Sequence, residues 1–143
     1  MGDSTIKRLN VKNYVPFAED LEYEVKNTQK VLANLYKKNM NELNCNNFSK
    51  AQESLEEYRY VPNEYLLPEG KFVRWIQSKT KNNMFIRTGG FVLSDNGWSF
   101  TVKLAGRSKF TKGNIRKDGL YIFMLIDNND RMYQITNTIL KES

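Results

Sequence analysis

Residues 98–104 read W-S-F-T-V-K-L and alternate large apolar with polar side chains without a break. Successive side chains of an extended strand point to opposite faces, so this order predicts one buried face that carries Trp98, Phe100, Val102 and Leu104. The stretch therefore predicts a half-buried antiparallel strand. Seven of the eight glycines lie within residues 70–119 around it. The chain thus divides into a helical front half and a β-rich back half.

The back half contains four more segments with the composition of strands. Together with the first they predict strands at 71–77, 84–93, 98–104, 120–126 and 131–135. The D-N-G at 95–97 and the N-N at 128–129 suit hairpin turns, and the G-G at 89–90 suits a bulge or sharp bend within a strand. Short antiparallel strands with such a bend predict a small barrel.

The front half carries an apolar stripe with the spacing of a helix. Its members recur at alternating steps of four and three from Tyr14 to Asn39, which predicts the longest helix of the chain. A shorter stripe predicts a second helix over 48–58. We expect the two helices to form an antiparallel hairpin; the alternative is that the stripe, which includes Thr28, contacts a helix of a partner.

The predicted fold class is α+β, with an N-terminal helical hairpin followed by a small five-stranded antiparallel SH3-like or OB-like β-barrel. The predicted organisation is an N-terminal arm and helical hairpin over 1–60, a connector over 61–69 between Pro62 and Pro68, a basic barrel over 70–136 and a tail over 137–143.

The predicted strand 120–126, L-Y-I-F-M-L-I, is apolar at every position, so both of its faces need a cover. The barrel interior covers one face. The helical hairpin covers the other face, or a partner protein does, because a large exposed apolar patch usually marks an interface. The residues predicted to contact these helices or a partner are Tyr121, Phe123, Leu125 and Trp75.

The composition excludes most familiar active sites. The chain has no histidine and one cysteine, Cys45, so the usual general base and the imidazole metal ligand are missing. We predict a protein that is not an enzyme and has no catalytic residue, cofactor or metal. No apolar run reaches the roughly 18 residues of a membrane span. The predicted location is intracellular and cytoplasmic, and no small-molecule ligand is expected.

The positive charge lies in the back half. Residues 66–143 carry 13 Lys/Arg and 6 Asp/Glu, a net charge of +7, whereas residues 1–65 have a net charge of −1. The excess is concentrated in 106–119, read as a loop, and such a patch attracts nucleic acid or acidic protein surfaces; an ordinary solvated loop is the alternative. The candidate residues for a polyanion or an acidic partner are Arg107, Lys109, Lys112, Arg116, Lys117, Lys79, Lys81 and Arg87.

A family resemblance points to large viruses. The segment G-K-F-V-R-W at 70–75, followed by T-G-G-F-V at 88–92, resembles small β-barrel proteins of unassigned function in the nucleocytoplasmic large DNA viruses. The chain's 17 Asn and 15 Lys suit the AT-rich genomes of many such viruses. The resemblance implies a viral, virion-associated protein located in host cytoplasm and virion, and it assigns no site residue.

Two functions follow from these observations. The first is a structural or adaptor protein that docks on a larger protein assembly through its apolar strand faces and helices. The second is a small β-barrel that binds nucleic acid with the basic residues of 106–119.

Overall fold

A computed structural model describes residues 13–40, 46–78, 84–104 and 111–142. The helices are α1 (Leu21–Met40), α2 (Asn46–Ser54) and α3 (Asn128–Glu142). The strands are β1 (Tyr58–Val61), β2 (Phe72–Gln77), β3 (Gly90–Asp95), β4 (Ser99–Leu104), β5 (Lys112–Arg116) and β6 (Leu120–Leu125). All six form one open antiparallel sheet in the order β1-β6-β2-β3-β4-β5.

The predicted fold class is wrong in its barrel, its strand count and its helical hairpin. The sheet is open and six-stranded, with β1 and β5 at its two edges. The predicted strand 131–135 lies inside α3, while β1 and β5 come from the predicted end of a helix and the predicted loop 106–119. β1 also pairs with β6, so the sheet extends across the predicted boundary at residue 60.

The helix α3 begins at a capping box that resembles a turn in sequence. The Asp130 backbone N–H donates to Asp127 Oδ1 at 3.1 Å, and the Asp127 N–H donates to Asp130 Oδ2 at 3.0 Å. Two carboxylates three residues apart thus satisfy each other's backbone donors and start a helix. The N-N at 128–129 therefore lies within the start of a helix and not in a hairpin turn, so the strand predicted at 131–135 is wrong.

An ion pair ties this helix start to the sheet. Lys71 Nζ lies 2.6 Å from Asp127 Oδ2 and 3.5 Å from Asp130 Oδ2. Burial alone would raise the pKa of Asp127, but the hydrogen bonds with Lys71 and Asp130 outweigh it and lower the pKa of this carboxyl. The stabilisation from Asp127 is therefore present above the pKa of the unfolded carboxyl and is lost as the pH falls through the lowered folded value.

The first helix starts later than predicted because Asp20 caps it. Asp20 Oδ1 accepts the Tyr23 backbone N–H at 3.1 Å, so α1 begins at Leu21. The chain before it is extended, and Tyr14 forms a parallel bridge with Leu66. Tyr14 therefore lies in an extended segment that pairs with the connector, and it is not part of a helical stripe.

The edge strand β1 is closed by a threonine of α1. The buried Thr28 hydroxyl accepts the Tyr60 backbone N–H at 3.0 Å and lies 2.8 Å from the Tyr58 carbonyl oxygen. An unpaired edge invites pairing with another chain. Thr28 thus blocks one edge of the sheet, and its polar side chain in the apolar stripe serves the chain itself.

We expect Thr28→Val to lower the free energy of unfolding by about 1–3 kcal/mol, because it keeps the shape but leaves buried backbone groups of β1 unpaired. Urea denaturation measures the change. Thr138→Val is the control. The hydroxyls of Thr28 and Thr138 both donate to the carbonyl oxygen four residues earlier in their helices, Glu24 and Gln134, but Thr138 is exposed. Equal effects of the two substitutions would contradict this role of Thr28.

The sheet bends where β2 and β3 separate. Gly89 has a φ of +88°, and a Cβ at Gly90 would lie 2.3 Å from the Lys103 carbonyl oxygen. On one side of the sheet the rings of Trp75 on β2 and Phe100 on β4 meet edge-on across β3 with centroids 5.5 Å apart, and we call this side the concave face and the other side the convex face. The predicted strand 84–93 is wrong over residues 84–89: β3 begins at Gly90, so Gly89 precedes the strand, and the bulge within β3 lies between Val92 and Ser94.

The two faces of the sheet are covered differently. The concave face holds one apolar cluster, which includes Val73, Trp75, Phe100 and Ile122. On the convex face α1 and α2 pack on β1, β6 and β2, where Phe123 is fully buried. No described residue of β3, β4 or β5 belongs to that second cluster, so the convex face of these three strands carries no helix from it. None of the described helices is both long and apolar enough to cross a membrane.

Candidate nucleic-acid interface

The convex side of β3, β4 and β5, called the bare face below, is the strongest candidate site. Val92, Phe100 and Val102 point into the concave core, and alternation then turns their neighbours outward. A bulge between Val92 and Ser94 keeps this alternation in step with β4. The outward-facing residues are Phe91, Ser94, Ser99, Thr101, Lys103, Lys112, Asn114 and Arg116.

The strand register aligns one aromatic and two basic residues in a row across the bare face. Phe91 pairs with Lys103, and Lys103 pairs with Lys112. Because Leu104 N donates to Thr111 O at 2.9 Å, the adjacent lysine pair is of the non-hydrogen-bonded type, in which side chains lie closest. Like charges directly opposite each other reduce sheet stability.

The rest of the bare face is polar and basic. The Asn114 amide donates to Thr101 Oγ1 at 3.1 Å, and Arg116 lies opposite Ser99. Lys112, Asn114 and Arg116 are all exposed and follow one another at about 6.6 Å along β5, two residues per step. The described outward positions of the three strands include no acidic residue, whereas the exposed Asp118 lies near Arg116 just beyond the end of β5.

Exposed aromatic rings border these cations. Phe91 is 49% exposed and meets Phe72 edge-on with ring centroids 5.0 Å apart. Trp98 was predicted to be buried, but it precedes β4 and is 84% exposed. With Arg116 it borders an open recess of about 340 Å³. Rings of this kind can stack on the bases of a single strand.

The predicted binding residues lie in different environments. Lys112 and Arg116 lie on the bare face, whereas the guanidinium of Arg87 lies 4.1 Å from the centre of the Phe85 ring. The Lys117 side chain is 5% exposed, with Nζ 2.7 Å from Asp95 Oδ2, so it holds the fold and faces no ligand. Four other predicted residues lie outside the described part of the chain: Arg107, Lys109, Lys79 and Lys81.

The residues predicted to contact helices or a partner lie around β6 and β2. Phe123 is buried beneath α1 and α2, and Tyr121 and Leu125 pack partly buried against the same cluster. Trp75 is buried in the concave cluster, on the face of the sheet opposite α1 and α2. It therefore contacts neither these two helices nor a partner protein in solvent.

Sequence reasoning did not single out Phe91 as a candidate binding residue. Phe91 follows Gly90 in a segment predicted as one long strand with a bend, and the sequence alone does not decide which face of the sheet its side chain takes. The pairing of Phe91 with Lys103 was not available from composition or charge. The alternation in 98–104 does place Lys103 outward and could have pointed to this side of β4.

Comparisons with protein-family models, curated proteins and solved structures found no match to this chain. Within the described residues, no group of three or more His, Cys, Asp or Glu side chains could hold a metal ion. The function therefore has to be argued from the bare face and the surfaces around it.

Proposed function

We propose that the protein is a non-enzymatic binding protein that holds single-stranded nucleic acid on the bare face. The observation that carries this proposal is the row of Phe91, Lys103 and Lys112 across three paired strands. A sheet surface that combines stacking rings with cations suits a flexible strand, because bases stack on the rings while phosphates contact the cations.

The position of the cations supports a single strand over a protein ligand. Lys112 and Arg116 lie on the edge strand β5, where a backbone of phosphates can run alongside the sheet. In the sequence, Arg107 and Lys109 belong to the segment that connects β4 and β5. This corresponds to the basic segment that the sequence singled out, with part of it now assigned to a strand.

We expect Phe91→Ala to weaken binding of single-stranded DNA about tenfold, since loss of a stacking ring costs about 1–3 kcal/mol per base. The probe is fluorescein-labelled oligothymidylate of about 20 nucleotides, longer than the ~4–16 nucleotides that an OB fold covers. Fluorescence anisotropy measures the affinity.

Tyr23→Ala is the matched control, because Tyr23 is an exposed aromatic residue on α1, 60% exposed against 49% for Phe91, and lies away from the bare face. It should leave the affinity unchanged. The proposal is wrong if wild-type protein does not bind the probe, or if both substitutions weaken binding equally. Circular dichroism confirms that each variant is folded.

A second function, docking on a larger protein assembly, is supported by α3. This helix exposes Met132, Ile135, Ile139 and Leu140, an apolar stripe with helical spacing. Contiguous exposed apolar surface commonly marks protein interfaces. The viral, virion-associated origin implied by the sequence resemblance fits this second function and stays a prediction, as does cytoplasmic location.

The two functions separate in one experiment on Ile135→Asn/Ile139→Asn. Under the docking function, the wild-type protein elutes in a large complex from extract of its native cells, and the double variant elutes as the free chain. Binding of oligothymidylate by this variant should be unchanged. Elution of the wild-type protein as a free chain in that extract would remove the docking function.

A further inference from the structure

A cavity of about 330 Å³ lies beside the extended segment that precedes α1. It is on the concave side of β1, β6 and β2, and α2 packs on the other side of these strands. We call it the N-terminal cavity. Its walls are mainly apolar and include Val15, Phe17, Pro68 and Met124. The rings of Tyr14 and Phe17 are more than half exposed at this site. The cavity is therefore open to a side chain of another molecule.

The walls of the N-terminal cavity are fixed before anything binds. The Val15 N–H donates to the Leu66 carbonyl oxygen at 3.1 Å, and Leu66 N–H donates to the Asn13 carbonyl oxygen at 2.8 Å. Arg59 Nη1 donates to the Pro16 carbonyl oxygen at 2.8 Å. On the far side, the Phe17 ring stacks on Tyr133 of α3 with centroids 4.6 Å apart. A preformed apolar cavity loses little entropy when it is filled.

The charges around the cavity carry a negative excess. Arg59 lies 3.5 Å from Glu24, and Lys71 lies within 3.5 Å of two carboxylates, Asp127 and Asp130. Each cation is thus already matched within the fold. The exposed Glu69 on the cavity wall adds a further carboxylate. Counting the paired carboxylates Glu24 and Asp127 with Glu69 and Asp130, four carboxylates surround two cations, Arg59 and Lys71, in a protein whose net charge is +6.

We propose that the N-terminal cavity binds a short extended segment of a partner protein in which an apolar side chain is flanked by lysine or arginine. The apolar side chain fills the space between Phe17 and Pro68. The flanking cation lies by Glu69 and over the exposed ring of Tyr14, where a carboxylate and an aromatic face both favour positive charge. This surface is independent of the bare face, which favours anions.

Three matched fluorescein-labelled peptides test the charge and the apolar anchor: G-K-L-K-G, G-E-L-E-G and G-K-G-K-G. We expect the first to bind about tenfold more tightly than either of the others, because each comparison removes either the charge match or one buried leucine. Methyl NMR of the methionines reports the site. The Met124 methyl signal should shift on binding, whereas that of Met84, buried under α1 and α2, should not.

Charge reversal at the cavity gives a second test. Glu69→Lys should weaken binding of G-K-L-K-G about threefold to tenfold, and Glu53→Lys, an exposed carboxylate on α2, should not. Equal binding of the acidic peptide, an unmoved Met124 signal or an equal effect of both reversals would overturn the proposal. Oligothymidylate binding is measured in the same variants; its absence would count against the bare face only.

Discussion

Lys117→Met is expected to lower the free energy of unfolding by about 3–5 kcal/mol, because it leaves a buried carboxylate without its cation. Lys117 Nζ donates to Asp95 Oδ2 at 2.7 Å and to the Tyr65 carbonyl oxygen at 2.9 Å. The Asp95 side chain is 0% exposed and also accepts the Leu67 N–H at 2.8 Å and the Gly97 N–H at 2.7 Å. The pair thus joins the turn between β3 and β4, the turn between β5 and β6, and the connector that precedes β2.

Chemical denaturation of Lys117→Met, Asp95→Asn and the double variant measures this pair. The double variant should be about 1–3 kcal/mol more stable than the sum of the single effects predicts, since it removes both charges together. Lys112→Met is the control for loss of an exposed lysine and should change stability by less than about 0.5 kcal/mol. A Lys117→Met variant as stable as Lys112→Met would contradict the buried pair.

Gly89→Ala is expected to destabilise the protein by about 3 kcal/mol or more. Gly89 has a φ of +88°, which alone costs a residue with a Cβ about 1–2 kcal/mol. The added Cβ would also lie 2.1 Å from the Val73 carbonyl oxygen, which is backbone of β2 and cannot move away without breaking the bend. Both the conformation and the close approach therefore require glycine.

Gly70→Ala is the matched control for this bend. Gly70 has the same φ of +88°, but an added Cβ meets nothing within 4 Å, so we expect only about 1–2 kcal/mol. Thermal unfolding of both variants measures the difference. If the two substitutions have equal effects, the close packing of Gly89 on β2 is not what fixes the bend.

The strands with an unambiguous pattern could be predicted from sequence. Alternation in 98–104 identifies β4, but the strand begins one residue later than predicted because Trp98 lies in the preceding turn. The apolar run at 120–126 identifies β6 and its need for two covered faces. Both patterns depend only on burial, which a single chain records in its residue types.

The errors arose where a short pattern fits two local structures. D-N-N-D serves as a turn or as a capping box. Contacts with distant residues dock the helix, among them Asp127 with Lys71, Gln134 Oε1 with the Leu21 N–H, and Tyr133 with Phe17. β5 was missed because K-G-N-I-R carries one apolar side chain and lies at a sheet edge. An open sheet differs from a barrel by contacts between distant residues, which local pattern does not contain.

The candidate binding residues could be predicted by charge and not by position. Positive charge identifies Lys112, Arg116 and Lys117 equally, yet two lie on the surface of β5 and the third is buried against Asp95. Phe91 gains its place beside the lysines only through strand register. The bare face is therefore a property of pairing, and the sequence supplied its charge alone.

The salt dependence of oligothymidylate binding by the wild-type protein and by Lys112→Gln/Arg116→Gln tests the central claim most directly. Each phosphate contact on a single strand contributes about −0.7 to the slope of log K against log salt, so loss of two contacts should make the slope shallower by about 1.4. Lys30→Gln/Lys37→Gln, two exposed lysines of α1, should leave it unchanged. The same slope in all three proteins would show that nucleic acid does not contact the bare face.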